Sequence, residues 1–197
     1  ANVSGTNSYV GGLIGMNSYY STVTLCYATG TVSNSGTYST GGLVGHNINY
    51  AIIQDSYATG TVNSTQYYAG GLTGVNEVYS TISRSYASGA VNGNNYAGGF
   101  AGLNYYNSTI FESYSSGAVS GYYATGGFLG YSYISNVSDS YTRSIVTRSS
   151  GGYTEFGGFI GYMYSGTIQY CYSTGSVSGA GWTPTDKGFI GILSSGA

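Results

Sequence analysis

Charge is nearly absent from this chain of 197 residues: four basic and six acidic side chains make up 5% of it, against roughly 25% in a typical soluble domain. Arg84, Arg143, Arg148 and Lys187 are scattered singly, so no basic stripe can neutralise successive phosphates, and nucleic acid is not an expected partner. No apolar run approaches the roughly 20 residues of a spanning helix, so membrane insertion is not expected either. The sequence opens at Ala1 without a charged n-region or an apolar h-region. That opening fits a processed, secreted chain or an excised segment, and the reading taken is an extracellular or cell-surface protein. Cysteine is limited to Cys26 and Cys171, at one position of a repeat. A bridge between them would cross five layers, roughly 24 Å at about 4.8 Å per layer, whereas a disulfide tolerates less than ~7 Å between Cα atoms. Two free thiols are expected.

What the chain has instead is 35 glycines, 25 tyrosines and 41% apolar residues, the last close to ordinary folded domains, which excludes disorder. The glycines build a phrase that returns: GGLIGMN from Gly11, GGLVGHN from Gly41, GGLTGVN from Gly70, GGFAGLN from Gly98, GGFLGYS from Gly126 and GGFIGYM from Gly157, with a remnant at Lys187-Gly188-Phe189-Ile190-Gly191. A second phrase keeps step with it, as in LCYATGTV from Leu25, DSYATGTV from Asp55 and YCYSTGSV from Tyr170. Between the two lies a short β-prone segment centred on Val23, Ile53, Ile82, Ile110, Val137 or Ile168. Successive glycine pairs are 30, 29, 28, 28 and 31 residues apart, which marks an array.

No 3.6-residue period survives, and β-branched and aromatic residues dominate, so the units are β. At roughly 29 residues and three short strands each they are too small for propeller blades, which need about 40 to 50, and they fit turns of a solenoid. The expected fold is therefore all-β: one β-solenoid domain over residues 1–197 with six to seven coils, repeats starting near residues 11, 41, 70, 98, 126, 157 and 187. Like residues then stack on like. Leu13, Leu43, Leu72, Phe100, Phe128, Phe159 and Phe189 are placed inside, with the Val/Ile centres and Val3, Val32, Val62, Val91, Val119, Val146 and Val177 facing them across one narrow core. The glycines are expected to turn the corners, through positive φ and close approach of adjacent walls. A row of phosphate loops is excluded, since no helix follows the glycine phrase to face an anion.

Tyrosine forms three files: Tyr9, Tyr38, Tyr68, Tyr96, Tyr123 and Tyr153 before each glycine pair; Tyr27, Tyr57, Tyr86, Tyr114, Tyr141 and Tyr172 in the second phrase; and, more loosely, Tyr20, Tyr50, Tyr79, Tyr106, Tyr133 and Tyr164. Asn17, Asn47, Asn76 and Asn104 are spaced for an amide ladder.

The combination GG[LF]xG followed by [ST]-x-Tyr-[AST]-[ST]-Gly-x-Val resembles the GLUG repeat. The resemblance implies a secreted β-solenoid segment with a surface or adhesin-like role and brings no catalytic residue with it. Around Arg143 and SSGGYTEF, and again at GWTPTDK, the pattern departs and loops are expected.

Neither end of the sequence carries a cap. The tail SSGA set before the head ANVSG reads close to the internal SSGAVSG from Ser115, so the chain is expected to polymerise head to tail into an extracellular filament. Its partner would then be itself, through Ala1, Asn2, Val3, Ser4, Ile192, Leu193, Ser194, Ser195, Gly196 and Ala197, although the last unit lacks its central segment. The alternative is a stalk or binding segment of a larger adhesin that recognises glycans or another surface.

No enzyme, cofactor or metal site is expected. The acids Asp55, Glu77, Glu112, Asp139, Glu155 and Asp186 number one per coil or fewer, whereas hydrolytic chemistry needs neighbouring carboxylates. Glu112 and Asp139 read as a solvated pair, and His46 stands alone at a variable position. Thr29 with Thr31 and Thr59 with Thr61 start a hydroxyl grid that decays at Ser88 and Ala90. Asn2, Asn63, Asn107 and Asn136 head glycosylation sequons, a number that a Ser- and Thr-rich chain reaches by chance.

Overall fold

The computed structural model describes residues 1–6, 8–149, 155–179 and 188–194. Among them every strand pairs in parallel and none is helical. The valine column shows the stacking: Val3, Val32, Val62, Val91, Val119, Val146 and Val177 are direct partners from strand to strand. At the glycine phrase, Leu43 N–H donates to Leu72 O at 2.8 Å, Leu72 to Phe100 at 2.8 Å and Phe100 to Phe128 at 2.9 Å. The chain is a β-solenoid of about six turns with about 29 residues in each.

The walls are cut more finely than the three expected strands. The coil that begins at Ser39 runs Ser39–Gly41, Val44–Ile48, Ile52–Gln54, Tyr57–Ala58 and Val62–Ser64, five segments distributed over three sheets. In the later coils Leu129–Ser138 and Phe156–Gln169 run through what earlier were breaks. The earlier breaks come from pairs of left-handed residues, Asn49 and Tyr50 (φ 59° and 63°), Val78 and Tyr79 (φ 54° and 59°) and Tyr106 and Asn107 (φ 47° and 56°); within Leu129–Ser138 a single residue, Ile134, has positive φ.

The corners correct the sequence reading. Among the described glycines only Gly166 has positive φ, whereas Leu25, Asp55, Arg84, Glu112, Asp139 and Tyr170 form a column of left-handed corner residues. Each costs about 1–2 kcal/mol, and a serine or cysteine of the same layer bonds across each corner and to the neighbouring layer. Ser85 Oγ donates to Ser83 O at 2.8 Å, bridging over Arg84, and accepts the Ser56 N–H at 3.2 Å. Ser56, Ser113 and Ser140 repeat the pattern, and the free thiols Cys26 and Cys171 end the column, each donating to the carbonyl two residues earlier. Glycine is required for close approach instead. A Cβ on Gly42 would lie 2.1 Å from Gly71 O, and one on Gly60 would lie 1.9 Å from Gly30 O.

The core is also divided. One cluster joins Leu43, Leu72, Phe100, Phe128 and Phe159 to the Val/Ile centres and to Ala58 and Ala87. A smaller one holds Val62, Val91 and Val119 with Ala69 and Ala97. In the first three coils the second glycine of the pair lies against that first cluster's alanines, and a Cβ on Gly42 would also stand 2.9 Å from Ala58 Cβ; in the later coils Gly99, Gly127 and Gly158 lie against Ser115, Thr142 and Ser173. The valines therefore pack mainly against small alanines, not across the whole tube. Phe100, Phe128, Phe159 and Phe189 stack at 4.6–4.8 Å with rings within 9° of parallel. Beside them Asn17, Asn47, Asn76 and Asn104 form the amide ladder, with side-chain bonds of 2.8, 2.8 and 2.9 Å.

Candidate functional site

The three tyrosine files differ in what their geometry leaves open. Tyr27, Tyr57, Tyr86, Tyr114, Tyr141 and Tyr172 form one uninterrupted stack, with centroids 4.8–5.1 Å apart and planes within 7°. Each interior ring has both faces covered by its neighbours. The loose file stacks from Tyr20 through Tyr50 to Tyr79, then turns edge-on at Tyr106 and resumes through Tyr105, Tyr133 and Tyr164.

The file before the glycine pairs does not stack regularly, because two members are displaced. Ser39, not Tyr38, is the register partner of Tyr9 and Tyr68, and Ala97 pairs with Thr125, which puts Ala124 and not Tyr123 level with Tyr96. The shifted rings meet their neighbours edge-on: Tyr38 and Tyr68 at 72°, Tyr96 and Tyr123 at 90°. Tyr153 lies outside the described residues.

Those displaced rings, with outward side chains of the adjoining wall, line a cleft along the solenoid axis. One recess of about 290 Å³ is bounded by Tyr38, Tyr68, Glu77, Leu103, Tyr105 and Tyr131. A second, of about 170 Å³, is bounded by Tyr96, Tyr123, Tyr131 and Tyr162, and a third by Tyr67, Asn95, Tyr96 and Tyr123. The first two recesses share Tyr131 as a wall, and the last two share Tyr96 and Tyr123. Strand register places Leu103, Tyr131 and Tyr162 one above another.

Glu77 lines the first recess, and a second carboxylate, Glu155, lies behind Tyr123. Glu77 Oε1 meets His46 Nε2 at 2.9 Å, and the imidazole is buried between Tyr9 and Tyr38, with ring centroids at 4.9 and 5.7 Å. The sequence placed His46 alone, and the structure corrects this by pairing it with Glu77. Tyr123 hydrogen-bonds Glu155, which is buried. Burial raises the Glu155 carboxyl above its usual range. Burial, followed by neighbouring phenols and acids, raises Tyr38, Tyr68, Tyr96 and Tyr131, and Tyr123 is pushed up to about 12 by burial and then by Glu155. These five phenols stay protonated, so their hydroxyls serve as donors and acceptors together.

The residues singled out in the sequence are placed as follows. Ala1, Asn2, Val3 and Ser4 lie at one end of the stack, where Val3–Gly5 is an edge strand; Ile192 and Leu193 lie at the other, on the edge strand Gly188–Leu193. Ser194 follows that strand, and its N–H bonds Met163 O at 2.9 Å. Ser195, Gly196, Ala197, Asp186 and the loops expected at SSGGYTEF and GWTPTDK fall wholly or mainly outside the described residues. Of the sequon asparagines, Asn2, Asn107 and Asn136 are exposed, and Asn63 is half-buried and accepts a bond from Asn92 at 2.9 Å. Asp55 is held by a two-pronged pair from Arg84, at 2.7 and 2.9 Å, and Glu112 and Asp139 follow in the same corner column. Among the described residues no group of three His, Cys, Asp or Glu side chains is placed to hold a metal.

The family model of the GLUG motif matches residues 6–33, 36–63, 93–120 and 152–178. These segments cover more than half of the chain, which belongs to the GLUG-motif family. The coils between the matched ones keep the same register, as Tyr68 on Tyr96 and Val62 on Val91 show. No curated protein and no solved structure gives a match.

Proposed function

We propose that the chain is an extracellular structural element, a β-solenoid rod that grows head to tail as copies stack end on end. The observation that carries this reading is how the columns finish. Leu43 and Phe128 are fully buried within the stack, whereas Leu13 is 49% exposed in the first coil and Phe189 is 36% exposed in the last. Met16 and Leu193 are likewise exposed at opposite ends.

The strand edges match the side-chain columns. Val3–Gly5 and Val177–Gly179 end one sheet, and Ile14–Ser18 and Gly188–Leu193 end columns of another. A second copy's Val3 continues the column beyond Val177, and its Ile14–Ser18 continues beyond Gly188–Leu193. Unpaired edges of this kind are templates for a further strand, and a head-to-tail contact extends without closing. Membership in the GLUG family and the sparse charge support an extracellular setting.

The test pairs Ser4→Cys with Ser178→Cys in a background of Cys26→Ser and Cys171→Ser. Ser4 is level with Ser33, and Ser178 with Thr147, in the valine sheet, so a polymer brings the new thiols together across the seam. Mild oxidation is expected to give a ladder of linked chains on a non-reducing gel, and electron microscopy unbranched fibres. Monomers at every concentration would reject the filament and favour a stalk segment whose own further coils cover these edges.

A further inference from the structure

We propose that the flush tyrosine stack relays one-electron oxidation along the rod, between its end rings Tyr27 and Tyr172 and the thiols beside them, Cys26 and Cys171. The inference is independent of whether copies polymerise.

Stacking geometry sets this file apart from the other two. Its five steps keep the rings 4.8–5.1 Å apart and within 7° of parallel, so each π-system overlaps the next without interruption. The loose file turns edge-on between Tyr79 and Tyr106 (80°), and the file before the glycine pairs does so between Tyr38 and Tyr68 (72°) and between Tyr96 and Tyr123 (90°). An edge-on contact points the rim of one ring at the face of the other and breaks that overlap. The flush file runs about 24 Å at ~4.8 Å per step and offers an oxidised ring a like ring at every step, so transfer between interior members costs little.

Thiols stand at both ends of it. Cys26 precedes Tyr27 and Cys171 precedes Tyr172, whereas Ser56, Ser85, Ser113 and Ser140 precede the interior rings. A thiol exchanges a hydrogen atom with a phenoxyl radical at little cost, because S–H and phenolic O–H bonds are of similar strength. A serine O–H is far stronger and takes no part, so exchange with thiols is confined to the two ends. Burial raises the Cys171 thiol above its usual range, so it carries the proton that must leave with the electron.

All six rings are exposed or half-buried, which lets water take and return their protons. A one-electron oxidant takes an electron from Tyr27 while water takes the phenolic proton, leaving a phenoxyl radical. Each following ring gives up an electron to the ring before it and a proton to water, and the ring before it regains its O–H. Arg143, with Cζ 5.4 Å from the Tyr141 centroid, disfavours an oxidised ring that keeps its proton and so couples the two losses there. At the far end the Cys171 S–H breaks, Tyr172 regains its O–H and a thiyl radical remains. One electron reaches the oxidant for each thiol oxidised.

The test uses a chain with Cys26→Ser and Leu25→azidophenylalanine, the azide carrying a ruthenium(II) polypyridyl dye that a flash and a cobalt(III) quencher convert to a ruthenium(III) oxidant. A nitrone spin trap captures the thiyl radical, and mass spectrometry counts its adduct at Cys171. This chain is expected to give the adduct at a yield per chain that does not change on dilution. Tyr86→Phe keeps the ring but removes the oxidisable hydroxyl, and it is expected to lower the yield at least tenfold, as is Tyr114→Phe. Tyr79→Phe, in the loose file, is expected to leave it unchanged. Circular dichroism establishes that each variant is folded, and Tyr57→Phe replaces any break in the stack that is not. Dye-free, isotope-labelled chains mixed into the sample report on oxidant that diffuses. The proposal is overturned if Cys171 gives no adduct, if dye-free chains give it as often, if the breaks in the stack leave the yield unchanged, or if Tyr79→Phe lowers it as much as they do.

Discussion

The side-chain amide of Asn47 donates to the carbonyl oxygen of Asn76 at 2.8 Å while neither residue exposes any surface. Asn76 in turn donates to Asn104 and to the backbone carbonyl of Ser80. A central ladder member therefore holds partners in both adjacent layers, and its removal leaves buried groups unpaired, at about 1–3 kcal/mol each. Asn76→Ala is expected to destabilise the fold by about 3 kcal/mol. Asn17→Ala, at the open end where only one layer is linked, is expected to cost about 1 kcal/mol. Urea denaturation of the two variants checks the ordering, and equal midpoints would show that the ladder does not carry the load.

The corner column gives a second prediction. Glu112 is exposed and held at φ 48°, where a side chain costs about 1–2 kcal/mol and glycine costs little. Part of the gain is returned through the freer unfolded chain, about 0.4–1 kcal/mol. Glu112→Gly is expected to raise stability by about 0.5 kcal/mol, and Glu112→Val, with a β-branched residue at that φ, to lower it. The order Gly, Glu, Val in denaturation midpoint is the result to look for.

Much of this architecture is legible in the sequence because a solenoid turns repetition into contact. Leu43, Leu72 and Phe100 bond main chain to main chain, and the asparagines form their ladder, since equal positions in successive units are neighbours in space. What resists reading is whatever departs from equality. Leu25, Asp55, Arg84 and Tyr170 share no chemistry, yet all are left-handed, because the backbone there is fixed by the serines and cysteines of the same and the neighbouring layer. His46 and Glu77 are 31 residues apart at non-equivalent positions, so no column joins them. The cleft itself exists because Tyr38 and Tyr123 sit one residue early, and a comparison of each tyrosine's distance to its glycine pair would have found that signal.

Acid pH provides a third test. Burial raises the Glu155 carboxyl above its ordinary value of 4.5, so the folded state holds its proton to higher pH than the unfolded chain. Its contribution is fully present below the unfolded value and is lost as pH rises through the folded one. Glu155→Gln keeps an acceptor for Tyr123 and has no charge to bury. The variant is expected to melt higher than the parent at pH 7 and at the same temperature at pH 4. A variant that melts lower at pH 7 would mean that the ionised carboxylate is stabilising.

Alkaline pH tests the cleft from the other side. Tyr68 and Tyr131 are raised, mainly by burial and then by neighbouring phenols, so the unfolded chain loses their protons first, near pH 10. The folded state holds more protons above that pH, and stability therefore falls as pH rises, by about 1.4 kcal/mol per pH unit for each such group. Replacing both with phenylalanine keeps the rings and removes the two titrations. The double variant Tyr68→Phe with Tyr131→Phe is expected to lose stability less steeply above pH 10 and to unfold at higher pH than the parent. Tyr27→Phe with Tyr172→Phe, at the exposed ends of the flush stack, is the comparison. If that pair shifts the alkaline transition as far as the cleft pair does, burial within the cleft is not what holds those protons.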